Sequence, residues 1–204
     1  MKRLSCLPLN SWHLMDSYTT YVEDPETLQC VDSGFFMGEN DHKLMMNLAK
    51  GGAVHAKYRR MIPVFLTIDA PLYWWKEFDT YKVGTVANSC STMHKIQAKE
   101  FTINDFSAEY LIDDYDEALF TVIDSLNDAR SMFLETKNKV YWWQMIQLLP
   151  TSYNQKRTVL LNYEVLVNIY HSRKNHKLDE WHTFCDWIEN LPYSELITGG
   201  DLCV

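Results

Sequence analysis

Residues able to do chemistry fall in two places in this chain. The first is Asn88-Ser89-Cys90-Ser91-Thr92. Hydroxyl and amide side chains beside backbone N–H groups bind a phosphate or a pyrimidine edge. The same residue types also make a plain capped turn. Cys90 has the place of a nucleophile or of a small inert side chain, and nothing in the surrounding sequence lowers its pKa. The second place is the pair Asn162 and Arg173, eleven residues apart. That spacing is about three helical turns and about 16 Å of rise, so the two share one helix face with Leu166 and Ile169 between them. They line one groove and touch opposite ends of an extended ligand, unless Arg173 serves a surface ion pair instead.

Other chemistries lack their signatures. There is no GxSxG, Walker A, GxGxxG or HExxH motif. The seven histidines (13, 42, 55, 94, 171, 176 and 182) show no metal-ligand spacing, so no metal site is expected. His171 and His176 stand near a helix end, where satisfying carbonyls is their ordinary role. The five cysteines, Cys6, Cys30, Cys90, Cys185 and Cys203, are odd in number and form no CxxC pair. That disfavours a zinc site or a disulfide framework and points to a reducing cytoplasm.

A formal charge of −8 argues against a duplex nucleic-acid binder with a basic face and leaves room for a mononucleotide, which needs only a few local cations. No apolar run approaches the roughly 20 residues of a membrane span. The start, MKRLSCLPLNSWHLM, is interrupted by Pro8, Asn10, Ser11 and His13 and does not read as a signal peptide. With 47% hydrophobic and 14% aromatic residues in 204, the chain supports a sizeable core and reads as one domain, 1–204.

These residues need elements to hold them. Ser17–Val22 is rich in β-formers, and Asp24-Pro25 is a turn or helix start. Gly34 and Gly38 bracket Phe35–Met37 in an expected loop. Asn40 or Asp41 caps a helix through Leu44, Met45 and Leu48, stopped by Gly51-Gly52. Val64, Leu66 and Ile68 alternate as in a strand. Asp69-Ala70-Pro71 then opens a helix carrying Leu72, Trp75 and Phe78, and Gly84–Ser91 reads as a loop. A long helix is expected from Asn104 or Asp105, with Leu111, Tyr115, Leu119, Val122, Leu126, Ala129 and Phe133 as its apolar stripe and Asp113, Asp114, Asp116 and Glu117 on its solvated side. Further helices are expected near Val140–Leu149, Lys156–His171 and Leu178–Leu191. The fold class is α+β, a small antiparallel sheet packed with long helices.

Taken together, these residues resemble the flavin-dependent thymidylate synthases. That family carries a strand, then Gln-x-x-Arg-His-Arg, then Asn-Glu-x-Ser-x-Arg-Tyr, and later Leu-Pro, an Asn, and an Arg three helical turns beyond it. FLTIDAPLYWWKEFDTYK resembles the strand and helix. Glu77 falls on the Gln, and Thr80-Tyr81-Lys82 on the basic triplet. Asn88 to His94 falls on the Asn-to-Tyr run, and Leu149-Pro150, Asn162 and Arg173 keep the later order. The match covers roughly residues 55–185. The resemblance implies substrate contacts at Glu77, Ser89, Ser91 and Arg173, with Arg173 catalytic through its contact to the pyrimidine ring. It implies cofactor contacts at Thr80, Tyr81, Lys82, Asn88, Asn162 and His176.

The implied function is methylation of a pyrimidine nucleotide, deoxyuridylate or an analogue. A folate supplies the carbon, and FAD reduced by NADPH supplies the hydride. The implied protein is a cytoplasmic homotetramer with sites shared between subunits and no nucleic-acid or membrane partner. Several cationic positions depart from the pattern. The triplet keeps only Lys82, Met93 replaces an Arg, Glu164 replaces a basic residue, and Trp142-Trp143-Gln144-Met145 replaces Glu-x-x-Arg. Met and Thr cannot reproduce a bidentate Arg contact on phosphate, although Lys82, His94 and Lys95 offer partial compensation. A catalytically degenerate nucleotide-binding module that has lost its flavin is therefore the alternative.

Overall fold

In a computed structural model, residues 15–23, 30–89 and 91–199 are described. The Asp24-Pro25 turn, Cys90 and the N-terminal segment read above up to Leu14 lie outside them. The chain forms two compact units. One comprises residues up to Leu66, Tyr81–Val86 and Val159 onward, and the other Thr67–Thr80 and Ala87–Thr158.

In the first unit, β1 (Tyr18–Glu23) pairs antiparallel with β2 (Cys30–Phe36), and a bulge lies between Thr20 and Tyr21. Phe35 and Phe36, expected in a loop, are strand residues: Tyr18 and Phe36 are register partners whose rings stack at 5.0 Å. Helix α1 (Glu39–Lys50) follows. Its N-cap is Gly38 rather than Asn40 or Asp41, and the cap comes from a distant side chain. The Asp16 carboxylate accepts the N–H groups of Asn40 and Asp41 at 2.9 and 3.1 Å. The fully buried Asp41 carboxylate in turn accepts the N–H groups of Met15, Asp16 and Ser17 at 3.0–3.1 Å. A Cβ on Gly38 would lie 2.1 Å from the Asp16 carboxylate, so the exchange requires glycine there. Burial pushes the Asp41 carboxyl up, but the N–H groups of Asp16, Met15 and Ser17 and the Ser17 side chain outweigh it and hold it at about 2.

The second unit holds α2 (Leu72–Phe78), α3 (Thr92–Lys95), α4 (Asp114–Thr136) and α5 (Lys139–Leu148). Helix α4 starts about ten residues later than its periodicity suggests. Asp105 instead closes a single 3-10 turn, accepting the Thr102 N–H at 2.9 Å. Phe106 bridges to Tyr153, and Asp113 takes a left-handed φ of 48° that breaks any earlier helix. Leu111 and Tyr115 are accordingly exposed, while Leu119, Ile123, Leu126 and Ala129 pack with Met145 of α5. Trp74, Trp75 and Phe78 of α2 form a second buried group with centroids 5.0–5.2 Å apart.

A three-stranded antiparallel sheet has the order β3 (Pro63–Pro71), β5 (Asn154–Asn162), β4 (Val86–Ser89). Its register shows in the Tyr163 N–H to Ile62 carbonyl bond, the Thr67–Thr158 hydroxyl pair and the Leu72 N–H to Tyr153 carbonyl bond: five steps up one strand are five down the other. β4 falls where Gly84–Ser91 was expected to be a loop. β5 replaces the first half of the expected Lys156–His171 helix. Its β-branched Thr158 and Val159 and the period-two burial of Val159 and Leu161 suit a central strand. The helix that remains is α6 (Tyr163–Arg173), and α7 (Asp179–Glu189) and α8 (Glu195–Thr198) complete the first unit. Its core includes Met45, Leu166, Ile169, Trp181, Ile188 and Leu196. The whole is α+β, as read from the sequence. Among the described residues no helix is long and apolar enough to cross a membrane.

Candidate functional site

The candidate residues of the first unit gather around Arg173, the last residue of α6. Arg173 Nε donates to Tyr81 Oη at 2.9 Å. Its guanidinium carbon stands 4.8 Å over the Trp181 ring and 5.6 Å over the Tyr81 ring. Trp181 is fully buried, and Tyr81 meets it edge-on at 6.2 Å. His176 lies edge-on to the other aromatic wall, 6.3 Å from Trp181. Its Nδ1 accepts the Leu178 N–H at 3.2 Å, which leaves the neutral ring its N–H on Nε2. Three residues named from the sequence, Tyr81, Arg173 and His176, therefore share one cluster whose floor is Trp181, a residue of α7 that was not among the candidate site residues.

Asn162 lies at the other end of α6. It is the N-cap, with Oδ1 accepting the Val165 N–H at 3.1 Å. That engages the amide oxygen and leaves Nδ2 as the donor. Gly84, with φ +79°, approaches this amide: a Cβ there would sit 3.1 Å from Asn162 Nδ2 and 3.2 Å from Val165 Cγ2. Lys82, two residues earlier, is exposed.

In the second unit, Asn88 and Ser89 are exposed on β4. Ser91 Oγ accepts the His94 N–H at 3.3 Å, so the capped turn among the sequence alternatives does form. The Thr80 hydroxyl donates to the Glu77 carbonyl at 2.7 Å. Ser89 and Ser91 also line a cleft of about 390 Å³ with Leu72, Ile146, Leu149 and Arg157. Arg157 is fixed three ways. It stacks 4.3 Å over Trp75, donates from Nη1 to Asp79 at 2.8 Å, and donates from Nε to Gln155 Oε1 at 2.7 Å. Sequence reasoning missed it by placing it in a helix. The alternation Gln155, Arg157, Val159 beside Asn154, Lys156, Thr158 is the signal that would have put it on one face of a strand.

Ser91 also borders a second cleft, of about 330 Å³, together with Lys95, Lys99, Lys156, Asp69 and Asp105. Lys99 and Asp105 form an ion pair. The bond to Asp105 raises the Lys99 pKa; at Asp105 burial acts upward, but Lys99 and Thr102 bring the net shift down. Among the described residues no group of three or more His, Cys, Asp or Glu side chains could hold a metal ion.

Comparison of the sequence with family models and with curated proteins returns no match. Comparison of the structure does. A flavin-dependent thymidylate synthase from Helicobacter pylori, complexed with FAD and dUMP, is similar with a TM-score of 0.61 and 14% identity over 79% of this chain and 84% of that one. A second structure of the enzyme from that organism, also with FAD and dUMP, gives 0.61 and 15% over 79% and 83%. The UMP/dUMP methylase PolB from Streptomyces cacaoi, bound with 5-Br UMP, gives 0.53 and 10% over 76% and 77%. The chain has the fold of the flavin-dependent thymidylate synthases.

That fold makes FAD the cofactor to test against the side chains present. At the three positions matched to the basic triplet, the Thr80 hydroxyl donates to a backbone carbonyl, the Tyr81 hydroxyl accepts from Arg173, and Lys82 alone carries charge. One exposed lysine is a poor counterpart for two phosphates. These three residues by themselves do not fit the diphosphate of FAD.

Proposed function

We propose that the protein binds a pyrimidine nucleotide and methylates its ring, as a divergent thymidylate synthase-like enzyme. The Arg173 cluster is the observation that carries this reading. A guanidinium fixed by a hydrogen bond and two aromatic faces is pre-organised, so it loses little freedom when it meets a ring carbonyl. Placed against a pyrimidine, it stabilises the negative charge that develops on the ring oxygen as a ring carbon is activated. Asn162 supplies an amide donor at the opposite end of the same helix, and Ser89, Ser91, Asn88 and Glu77 are the further substrate or cofactor positions implied by resemblance. The folate carbon donor, the reduced flavin with NADPH, the homotetramer and the cytoplasmic setting enter from the resemblance alone. Calorimetric titration with dUMP and UMP tests the reading: binding is expected, and Arg173→Ala should abolish it. Absence of binding to any pyrimidine nucleotide overturns it.

A second reading is favoured by the Thr80-Tyr81-Lys82 donor set: a nucleotide-binding module without redox chemistry. Absorbance of the purified protein separates the two. Near-stoichiometric flavin supports the enzyme. A colourless protein that takes up no added FAD, yet binds nucleotide, supports the module.

A further inference from the structure

The acidic charge of the chain is concentrated. Of its 27 Asp and Glu residues, nine fall in residues 100–129, which hold no Lys, Arg or His, and the 18 that remain nearly balance 19 Lys and Arg. Among the described residues Asp105 is the one of the nine in an ion pair, with Lys99. The same stretch exposes large apolar side chains, Ile112 at 63%, Tyr115 at 67% and Phe120 at 49%. Phe120 also lines a groove of about 450 Å³, which it shares with Ile103, Phe106 and Ala108 and with the acidic Glu109 and Asp116. Asp116 and Phe120 stand four residues apart on α4, a spacing that sets the carboxylate beside the ring. We propose that this face is a docking surface for a basic, amphipathic segment of a partner protein, with an apolar side chain entering the groove and Lys or Arg side chains meeting Glu109 and Asp116.

The fold does not use this side of α4. The opposite side, Leu119, Ile123, Leu126 and Ala129, packs with Met145 of α5, so the exposed rings add nothing to the core. A merely solvated acidic face needs no large apolar residues, and apolar side chains gathered around a groove mark an interaction site. The charge then selects the occupant. A nucleic acid or an anionic lipid surface is repelled. A second copy presenting the same face would set like charge against like. A segment that carries Lys or Arg around apolar anchors complements both features at once. The carboxylates draw it in and speed encounter, and burial of its apolar side chain against Phe106 and Phe120 slows its release. None of these residues is among those assigned above to nucleotide or cofactor, so the surface stands independently of the pyrimidine reading.

The test titrates the full chain by fluorescence anisotropy with a labelled leucine–lysine peptide of helical periodicity, its leucine–glutamate counterpart, and oligolysine. The leucine–lysine peptide should bind, oligolysine should bind more weakly, and the leucine–glutamate peptide should not bind. Phe120→Ala should weaken the leucine–lysine peptide about tenfold and leave oligolysine unchanged. Glu109→Gln should weaken both about threefold, while Asp128→Asn, acidic but outside the groove, matches wild type. Added salt should weaken both cationic peptides. Thermal unfolding of each variant checks the fold. Binding that Phe120→Ala does not alter, or that Asp128→Asn weakens as much as Glu109→Gln, reflects net charge alone and overturns the groove. Failure of the leucine–lysine peptide to bind overturns the surface. Sedimentation that shows the wild type self-associating and Phe120→Ala dissociating it makes a second copy the occupant and overturns the partner segment.

Discussion

Arg173 and Tyr81, ninety-two positions apart in the chain, are joined by a 2.9 Å hydrogen bond from Nε to the phenol oxygen. Resemblance assigns one to substrate and the other to cofactor, whereas the fold makes the second a support for the first. Tyr81→Phe keeps the ring and removes the acceptor. The folded state should change by about 1 kcal/mol or less, and dUMP affinity should fall about fivefold as the guanidinium loses its orientation. Calorimetry paired with thermal unfolding checks this, and undiminished affinity would show that Tyr81 has no positioning role.

Asn162 has two separable duties. Asn162→Asp retains the acceptor that caps α6 and adds negative charge at a helix N-terminus, so stability should hold or rise. The amide donor disappears, and ligand affinity should drop. Asn162→Ala loses both, with a cost of about 1 kcal/mol in urea unfolding. An Asp variant that binds like wild type would exclude the amide from recognition.

Gly84 and Gly52 provide an internal control. Both have positive φ, +79° and +83°, but a Cβ at Gly52 meets nothing within 4 Å, whereas one at Gly84 presses on Asn162 and Val165. Gly52→Ala should cost about 1 kcal/mol, the left-handed penalty alone. Gly84→Ala should cost more and also weaken ligand binding, and denaturant melts of the two variants isolate the contact.

Asp41 gives a pH signature. Its carboxyl is held at about 2 in the folded protein, below the unfolded value of about 3.9. A depressed pKa contributes stability that is fully present above the unfolded value and is lost as pH falls through the folded one. Asp41→Asn should therefore cost about 2 kcal/mol near pH 6, with the difference from wild type shrinking between about pH 4 and pH 2. A difference that does not vary over that window would show that the charge of Asp41 is not what secures the Met15–Ser17 backbone.

Short-range pattern made much of this protein legible. Alternation of Val64, Leu66 and Ile68 marked β3, and the i, i+3, i+4 recurrence through Leu119, Leu126 and Ala129 marked the body of α4, because burial on one face imposes those periods locally. Arg173 and Asn162 were identified as a pair for a similar reason: a helix places its two ends at a distance that residue count alone sets. The alternation through Gln155, Arg157 and Val159 is too short to separate Lys156–Leu161 from a helix start by itself. Its state is decided by strand neighbours far along the chain, whose backbone groups it pairs with.

The onset of α4 shows the same limit, since a stripe of apolar residues runs on through Leu111 although a local Thr102–Asp105 turn and the backbone at Asp113 stop the helix. Residue type and order thus determined the α+β class, the body of most helices, the family resemblance and the deficit of cations at its signature. Tertiary structure alone decided that Asp16 caps α1, that Tyr81 holds Arg173, and that Lys95 and Lys156 meet at one groove. Each of these depends on side chains brought together across tens of residues, and such contacts leave no period in the sequence.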